Sequence, residues 1–163
     1  MTDTAPDLAA RLTRLEAIAA ITALKHRYFR ACDAKDPAGF RDCFLAAGAE
    51  LDYGSLGAHD ADGMAAVFTS IALRRVDGKP VVLDMHHGVH PDITVHDDTT
   101  ASGRWTLRFR QLNLLARTET VATGEYADEY RVEDGQWKIA RCTFTQLWSL
   151  TRPLSEDAQV ENL

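Results

Sequence analysis

Two parts of the chain are the leading candidates for proton transfer: a cluster of histidines, His86, His87 and His90, and Asp33 at the end of a helical pattern. A histidine with a suitable partner acts as a general base near neutral pH. An anion in a last helical turn is unfavourable by a few tenths to about 1 kcal/mol. If it is partly buried, Asp33 therefore needs a cationic or donor partner. The alternative is a solvated Asp33 that begins a turn with Lys35.

The strand pattern around the histidines bears on their orientation. Ile93 and the apolar residues before it share the parity of His87, so strict alternation turns His87 inward and His86 outward. Adjacent strand side chains point to opposite faces, and His86 and His90 would lie about 13 Å apart along one face. The three histidines cannot converge on one ion, so we predict no metal site.

Other polar residues lie where strand patterns predict an inner face. Tyr53 could donate its hydroxyl into a cavity, or it could be a wedge with its hydroxyl in water. Gln111 alternates in step with the apolar residues of its strand and is predicted to be a polar group on the inner face. Tyr126, Asp128 and Tyr130 share one face, and Asp128 is a possible second carboxylate. The alternative for these three is a cross-strand row in which Asp128 pairs with an arginine.

Composition excludes several classes of protein. The 163 residues include 18 basic and 24 acidic side chains, for a net charge of -6, which disfavours binding to nucleic acid or to an anionic membrane. Three cysteines at unrelated spacings form no zinc or CxxC pattern and suit a reducing compartment. With no signal peptide and no transmembrane pattern, we expect a cytoplasmic protein. No phosphate loop or nucleophile elbow is present, so we predict no cofactor and a small-molecule substrate.

The elements that must position these residues fall into two groups, helices first and strands after. Helical patterns cover 8–34, 36–44 (opened by Asp36 and Pro37) and 60–74. Strand patterns cover 50–53, 81–96, 100–115, 119–132 and 136–150. The fold class is therefore α+β, with the helices packed on a curved antiparallel sheet. One domain spans 1–163, with a core of about 8–150 and a mobile or partner-crossing tail over 152–163.

Several segments resemble one known family. The stretches 31–44 and 51–55 are similar to the opening of scytalone dehydratase. The stretch 86–95 resembles the His-x-x-x-Asn-Pro-x-Ile strand of SnoaL-like proteins, and 125–139 resembles their last hairpin and that of lindane dehydrochlorinase. In this order and spacing, they identify the chain as a member of the SnoaL-like branch of the NTF2-like superfamily. The resemblance implies a cone in which helices cover a curled sheet.

The resemblance also implies a catalytic dyad. In the two enzymes an aspartate at the end of the first helix pairs with a histidine that removes a substrate proton, and these positions fall on Asp33 and His86. The tyrosine that helps to polarise the carbonyl of the dehydratase substrate falls on Tyr53. An inward His86 requires a β-bulge between His86 and Ile93, which Gly88 or Pro91 could mark.

The chain also departs from the two enzymes. A second catalytic histidine of the dehydratase falls near Gln111, and one of its tyrosines falls on Cys32. The arginine of the dehydrochlorinase falls on Cys142, one place after Arg141. The reaction type is therefore better supported than any substrate. The predicted substrate-binding residues are Gln111, Phe29, Tyr126, Asp128, Arg141 and His87.

These observations predict a cofactor-independent lyase or isomerase. Its substrate would be a small, largely apolar carbonyl or cyclic compound, from which Asp33 and His86 remove a proton. The alternative is a non-catalytic protein, either a small-ligand binder or a structural subunit such as the β subunit of a ring hydroxylase. Sheets of this fold usually bury their outer face, so we expect a homodimer or homotrimer.

Overall fold

The computed structural model of the protein describes residues 5–161, and the side chains of 8–161. Its α-helices are α1 (Ala5–Ala34), α2 (Pro37–Asp42) and α3 (Ala61–Ala72), and a short 3-10 turn covers Gly54–Leu56. Its strands are β1 (Glu50–Asp52), β2 (Ala58–His59), β3 (Arg75–Val76), β4 (Lys79–Pro80), β5 (Val82–Val95), β6 (Thr100–Asn113), β7 (Thr118–Glu133) and β8 (Gln136–Pro153). In that part of the chain no helix is long and apolar enough to cross a membrane.

A six-stranded sheet in the order β2-β1-β8-β7-β6-β5 forms the body of the domain. Strands β5 to β8 follow one another antiparallel, as predicted, and α1 packs across them. The short β1 pairs parallel with β8, so the sheet is mixed rather than purely antiparallel. The α+β cone expected from the sequence is confirmed, and β5 forms one edge of its sheet.

Side-chain caps start the two shorter helices. Asp36 accepts a hydrogen bond from the amide of Gly39 and is followed by Pro37 at the first helical position. Asp60 caps α3 in the same way through Gly63. The predicted extension of α2 to Phe44 is wrong: the helix ends at Asp42, and Phe44 instead forms a parallel bridge with Ile139 of β8.

A β-bulge changes the inward face of β5. Its register with β6 shifts between Val89 and Asp92, and His90 adopts a left-handed backbone with φ 54°. Before the bulge His86 faces α1 and His87 is exposed; after it Ile93 packs against the core. The bulge is therefore present, and the simple alternation that turned His87 inward is wrong because it assumed one unbroken parity.

The C-terminal residues belong to the sheet for longer than predicted. Strand β8 runs to Pro153, and Arg152 donates to Glu119 Oε2 at 2.8 Å. Beyond it, Arg117 donates to the carbonyl oxygens of Ser155 and Ala158. The start of the predicted tail at 152 is therefore too early, and residues 162 and 163 lie outside the described part.

Candidate active site

Asp33, at the end of α1, and His86, on β5, form the centre of the site. The Oδ1 atom of Asp33 lies 2.6 Å from His86 Nδ1. The backbone amide of His86 also donates to the two carboxylate oxygens, at 3.0 and 3.2 Å. A carboxylate can only accept, so this contact favours a proton on Nδ1, and in the neutral imidazole the lone pair is then on Nε2. Such an imidazole is arranged to accept a proton.

Aromatic rings enclose the imidazole of His86. Phe29 stacks on it with the ring centroids 6.4 Å apart, and Phe109 lies 4.8 Å from it. A Cβ atom on Gly88 would fall 2.0 Å from Phe29 Cε2, so only glycine lets this ring lie against β5. The His86 side chain is 16% exposed and that of Asp33 is 33% exposed. The dyad is thus half-sheltered, with an apolar side and an opening to solvent.

A second tie joins the same two elements beside the dyad. Lys35 Nζ contacts Asp84 Oδ2, and Gln111 Nε2 donates to Asp84 Oδ1 at 2.9 Å. Asp84 is two residues before His86 and so shares its face of β5. Gln111 lies opposite Asp84 on β6. The inner polar position predicted for Gln111 is therefore present, next to the dyad.

A buried ion pair occupies the interior of the cone. Lys25 Nζ lies 2.7 Å from Asp128 Oδ2, and both side chains are fully buried. Tyr130 donates to the same carboxylate oxygen at 2.7 Å and accepts from Trp105 Nε1 at 3.0 Å. The ammonium lies 3.8 Å from the centroid of the Tyr126 ring. The expected arginine partner of Asp128 is therefore wrong: its partner is a lysine from α1.

Tyr53 lies within the buried aromatic cluster and does not contact the dyad. Its hydroxyl accepts a hydrogen bond from Tyr28 at 2.9 Å. Burial raises the pKa of Tyr53 well above its usual range, so the hydroxyl stays protonated. Among the described residues, Tyr53 has a ring contact with Tyr126, Tyr126 with Phe29, and Phe29 with His86. Two aromatic rings therefore separate Tyr53 from His86. The Tyr53 hydroxyl thus lies inside the core, neither in water nor beside the dyad.

Two predicted binding residues are not at the site. Arg141 lies on the surface, where it pairs with Glu50 at 2.7 Å and approaches Glu129 at 3.8 Å. The neighbouring Cys142 takes the inward position of this strand and is fully buried. His87 is exposed on the other face of β5. Of the predicted lining, Phe29 and Gln111 lie beside the dyad, whereas Tyr126 and Asp128 lie deeper.

Sequence reasoning did not find the partner of Gln111 or that of Asp128. The sequence pattern predicts Lys35 only as part of a solvated turn and gives no signal for Asp84. Lys25 lies within the apolar stripe of α1, three residues before the buried Tyr28. A charged residue on a buried helical face requires a buried counter-charge, and that signal was available in the sequence.

Comparison with known proteins agrees with this architecture. Residues 13–143 match the model of the SnoaL-like domain family. A hexachlorocyclohexane dehydrochlorinase, LinA type 2, is 16% identical with a TM-score of 0.76, over 93% of this chain and 97% of that one. A candidate scytalone dehydratase from Novosphingobium aromaticivorans is 22% identical with a TM-score of 0.75, over 91% and 98%.

A candidate aromatic ring hydroxylase from Novosphingobium aromaticivorans is similar over 82% of this chain and 91% of its own length. It is 22% identical with a TM-score of 0.71. At these identities the three structures show a shared fold. They are described by three different activities, so the fold alone does not select a reaction.

Proposed function

The chain belongs to the SnoaL-like family, and from this premise we propose that it is a cofactor-independent lyase or isomerase. The observation that carries the proposal is the contact between Asp33 and His86. It orients the imidazole and leaves Nε2 as the basic atom. Among the described residues no hydrogen bond occupies that nitrogen. The names of two neighbours, a dehydrochlorinase and a candidate dehydratase, support an elimination.

In the proposed reaction, His86 removes a proton from a carbon atom of the substrate. The C–H bond breaks, the proton passes to Nε2, and Asp33 stabilises the imidazolium that forms. The electron pair either expels a leaving group on the adjacent carbon, which gives a lyase, or forms an enolate that is protonated elsewhere, which gives an isomerase. A general base of this kind contributes about 10²–10⁴ in rate.

The proposed substrate is a small, largely apolar carbonyl or cyclic compound. Phe29 and Phe109 give the surroundings of His86 an apolar character that suits a ring or a short carbon chain. Lys35 pairs with Asp84, whereas a neutral His86 leaves the carboxylate of Asp33 as a net negative charge, so the site suits an uncharged substrate better than an anion.

Two probes test the proposal. The first is 2-tetralone in D₂O, in which NMR follows exchange of the acidic C–H. The second is 3-hydroxycyclohexanone, in which absorbance follows loss of water to the conjugated enone. We expect His86→Ala to lose about 10²–10⁴ of the wild-type rate. His87→Ala, a neighbouring histidine on the opposite face, serves as the matched control and should retain it.

Either of two results would overturn the proposal. One is a His86→Ala protein that is as active as the wild type. The other is a wild-type rate equal to that of buffer with both probes. Co-purification with a larger iron–sulfur protein, together with no activity, would support the structural-subunit function instead.

We also propose that the protein forms a homodimer or homotrimer. Near the end of β8 three large apolar side chains are more than half exposed: Leu147 at 59%, Trp148 at 55% and Leu150 at 58%. A cluster of this kind favours association with another surface. Light scattering at micromolar concentration should give a multiple of 18.0 kDa, and a monomeric mass would contradict the proposal.

A further inference from the structure

Two polar side-chain contacts join the end of α1 to β5, and the acidic residue belongs to the helix in one and to the strand in the other. Asp33 contacts His86, and Lys35, two residues later, contacts Asp84, two residues earlier on the strand. Side chains two apart on a strand share one face, with Cα atoms about 6.6 Å apart. The lysine tie therefore lies one pleat away from the dyad on the same face, close enough for one small molecule to reach both.

The backbone at Lys35 is unusual for its residue type. Its φ is 59°, in the left-handed region that glycine adopts most easily. This position ends α1, and the Asp36 amide closes the helix by donating to Ala31 O at 2.9 Å. Glycine would fit here without strain, but it could not supply the ammonium group that contacts Asp84. The conformation thus directs a cation to β5.

Lys35 and Gln111 have donors left over. An ammonium has three N–H groups and a primary amide has two. In the described residues each side chain makes one hydrogen bond, to the same Asp84 carboxylate. The Lys35 side chain is 17% exposed and that of Asp84 is 9% exposed. The cation is therefore held in place and only partly screened by water, whereas the Tyr53 hydroxyl lies in the buried core beside Tyr28.

We propose that Lys35, assisted by Gln111, binds the oxygen atom of the substrate and stabilises the enolate. This inference rests on the proposed function. When the proton moves from carbon to His86 Nε2, the electron pair of the broken C–H bond forms a C=C bond, and negative charge develops on the carbonyl oxygen. N–H donors already in place are suited to that charge. Asp84 is then a positioning residue for Lys35.

The proposal narrows the substrate class. A substrate with a carbonyl next to the acidic C–H would contact both groups at once, His86 through its carbon and Lys35 through its oxygen. A chlorinated hydrocarbon without oxygen would leave the Lys35 donors unused. We therefore expect carbonyl compounds, rather than halides, to be the substrates of this member of the family.

The test uses 4-nitrophenol, a planar phenol whose ionised form mimics an enolate and differs in absorbance from the neutral form. Wild-type protein should bind the phenolate in preference and so increase the ionised fraction. Lys35→Met should weaken phenolate binding roughly tenfold to one-hundredfold, the size expected for a lost hydrogen bond to a charged group. Lys35→Arg should retain most of it. Lys79→Met, on the exposed hairpin of β3 and β4, is the charge-matched control and should bind as the wild type does.

Lys35→Met leaves Asp84 without its cation and could impair folding. The double variant Lys35→Met, Asp84→Leu removes both charges together and should lose the phenolate preference to the same extent. Equal phenolate binding by the wild type and either folded variant would overturn the inference.

The two proposals can fail separately. Proton exchange that depends on His86, with phenolate binding that ignores Lys35, would reject only the oxygen-binding role. Phenolate binding that depends on Lys35, without exchange or elimination, would reject only the proposed reaction.

Discussion

The carboxylate of Asp33 contacts two groups of His86: the ring atom Nδ1 and the backbone amide. Strand β5 is at an edge of the sheet, so the amide of His86 that points away from β6 has no strand to pair with. Asp33 satisfies that amide and orients the imidazole at the same time. One side chain thus covers part of an open sheet edge and orients the ring of the base proposed above.

Asp33→Asn should separate these two roles. The amide oxygen of asparagine can still accept from the His86 backbone, but its NH₂ group would donate to Nδ1 and move the ring proton to Nε2. We expect activity to fall about 10²–10⁴-fold while the thermal midpoint changes little. Asp33→Ala, which also exposes the backbone amide, should lower both. Unchanged kcat in Asp33→Asn would show that Asp33 does not set the tautomer.

Gly88→Ala should disturb the wall of the site. The added Cβ would lie 2.0 Å from Phe29 Cε2, so the ring must move. Overpacking of this kind costs about 1–3 kcal/mol of unfolding free energy. Urea denaturation should show that loss, and the double variant Gly88→Ala, Phe29→Leu should be less destabilised than the sum of the single changes. Additive effects would mean that the two residues do not press on each other.

Lys25→Met should be among the most destabilising single changes. It leaves Asp128 as a buried, uncompensated charge, which costs about 3–5 kcal/mol. The Oδ1 atom of Asp128 already lacks a hydrogen bond among the described residues. The double variant Lys25→Met, Asp128→Asn removes both charges and leaves Tyr130 an acceptor, so it should recover at least half of the loss. A double variant as unstable as the single one would contradict this account.

The turn between β5 and β6 should respond to acid. Hydrogen bonds from the side chain of Thr100, and then from the backbone and side chain of Thr99, lower the pKa of Asp97 from 3.8 to about 2. Because the pKa of Asp97 is lower in the folded state than in the unfolded state, its ionised form stabilises the fold above pH 3.8, and this stabilisation is lost as the pH falls toward about 2. In urea denaturation, Asp97→Asn should be less stable than the wild type at neutral pH.

The same difference between Asp97→Asn and the wild type should shrink as pH falls through that window. Asp98→Asn, at the next position, is the matched control and should show no such pH-dependent difference. A gap for Asp97→Asn that stays constant down to low pH would contradict the assignment.

Local signals were sufficient to predict most of the fold. Asp36 and Asp60 cap helices as their residue types favour, and Asp134 and Gly135 form the last hairpin turn with positive φ angles of 51° and 74°. The parallel pairing of β1 was not predictable in this way, because a strand of three residues carries little pattern and its partner is about ninety residues away.

The site was only partly predictable for a related reason. The pairing of Asp33 with His86 was predicted from the resemblance to known enzymes, whereas the alternation of β5 alone favoured His87 as the inward-facing histidine. A bulge changes parity without a fixed residue signature, so a strict period of two fails across it. The partners of Lys25 and Lys35 depend on contacts across 103 and 49 residues, which single-sequence patterns do not encode.

The bulge at His90 and Pro91 divides β5 into two segments whose inward-facing residues have opposite parity. The positions on the inner face are His86 and Gly88 before the bulge, and Ile93 and Val95 after it. Deleting His90 would remove the extra residue, so that each residue of β5 pairs with one residue of β6. Both sets of residues would still face inward, because the extra residue itself causes the parity change. Such a deletion would keep the same side chains on the inner face and alter the curvature of the strand, so the length of β5 and the set of residues that line the cone can change independently at this point.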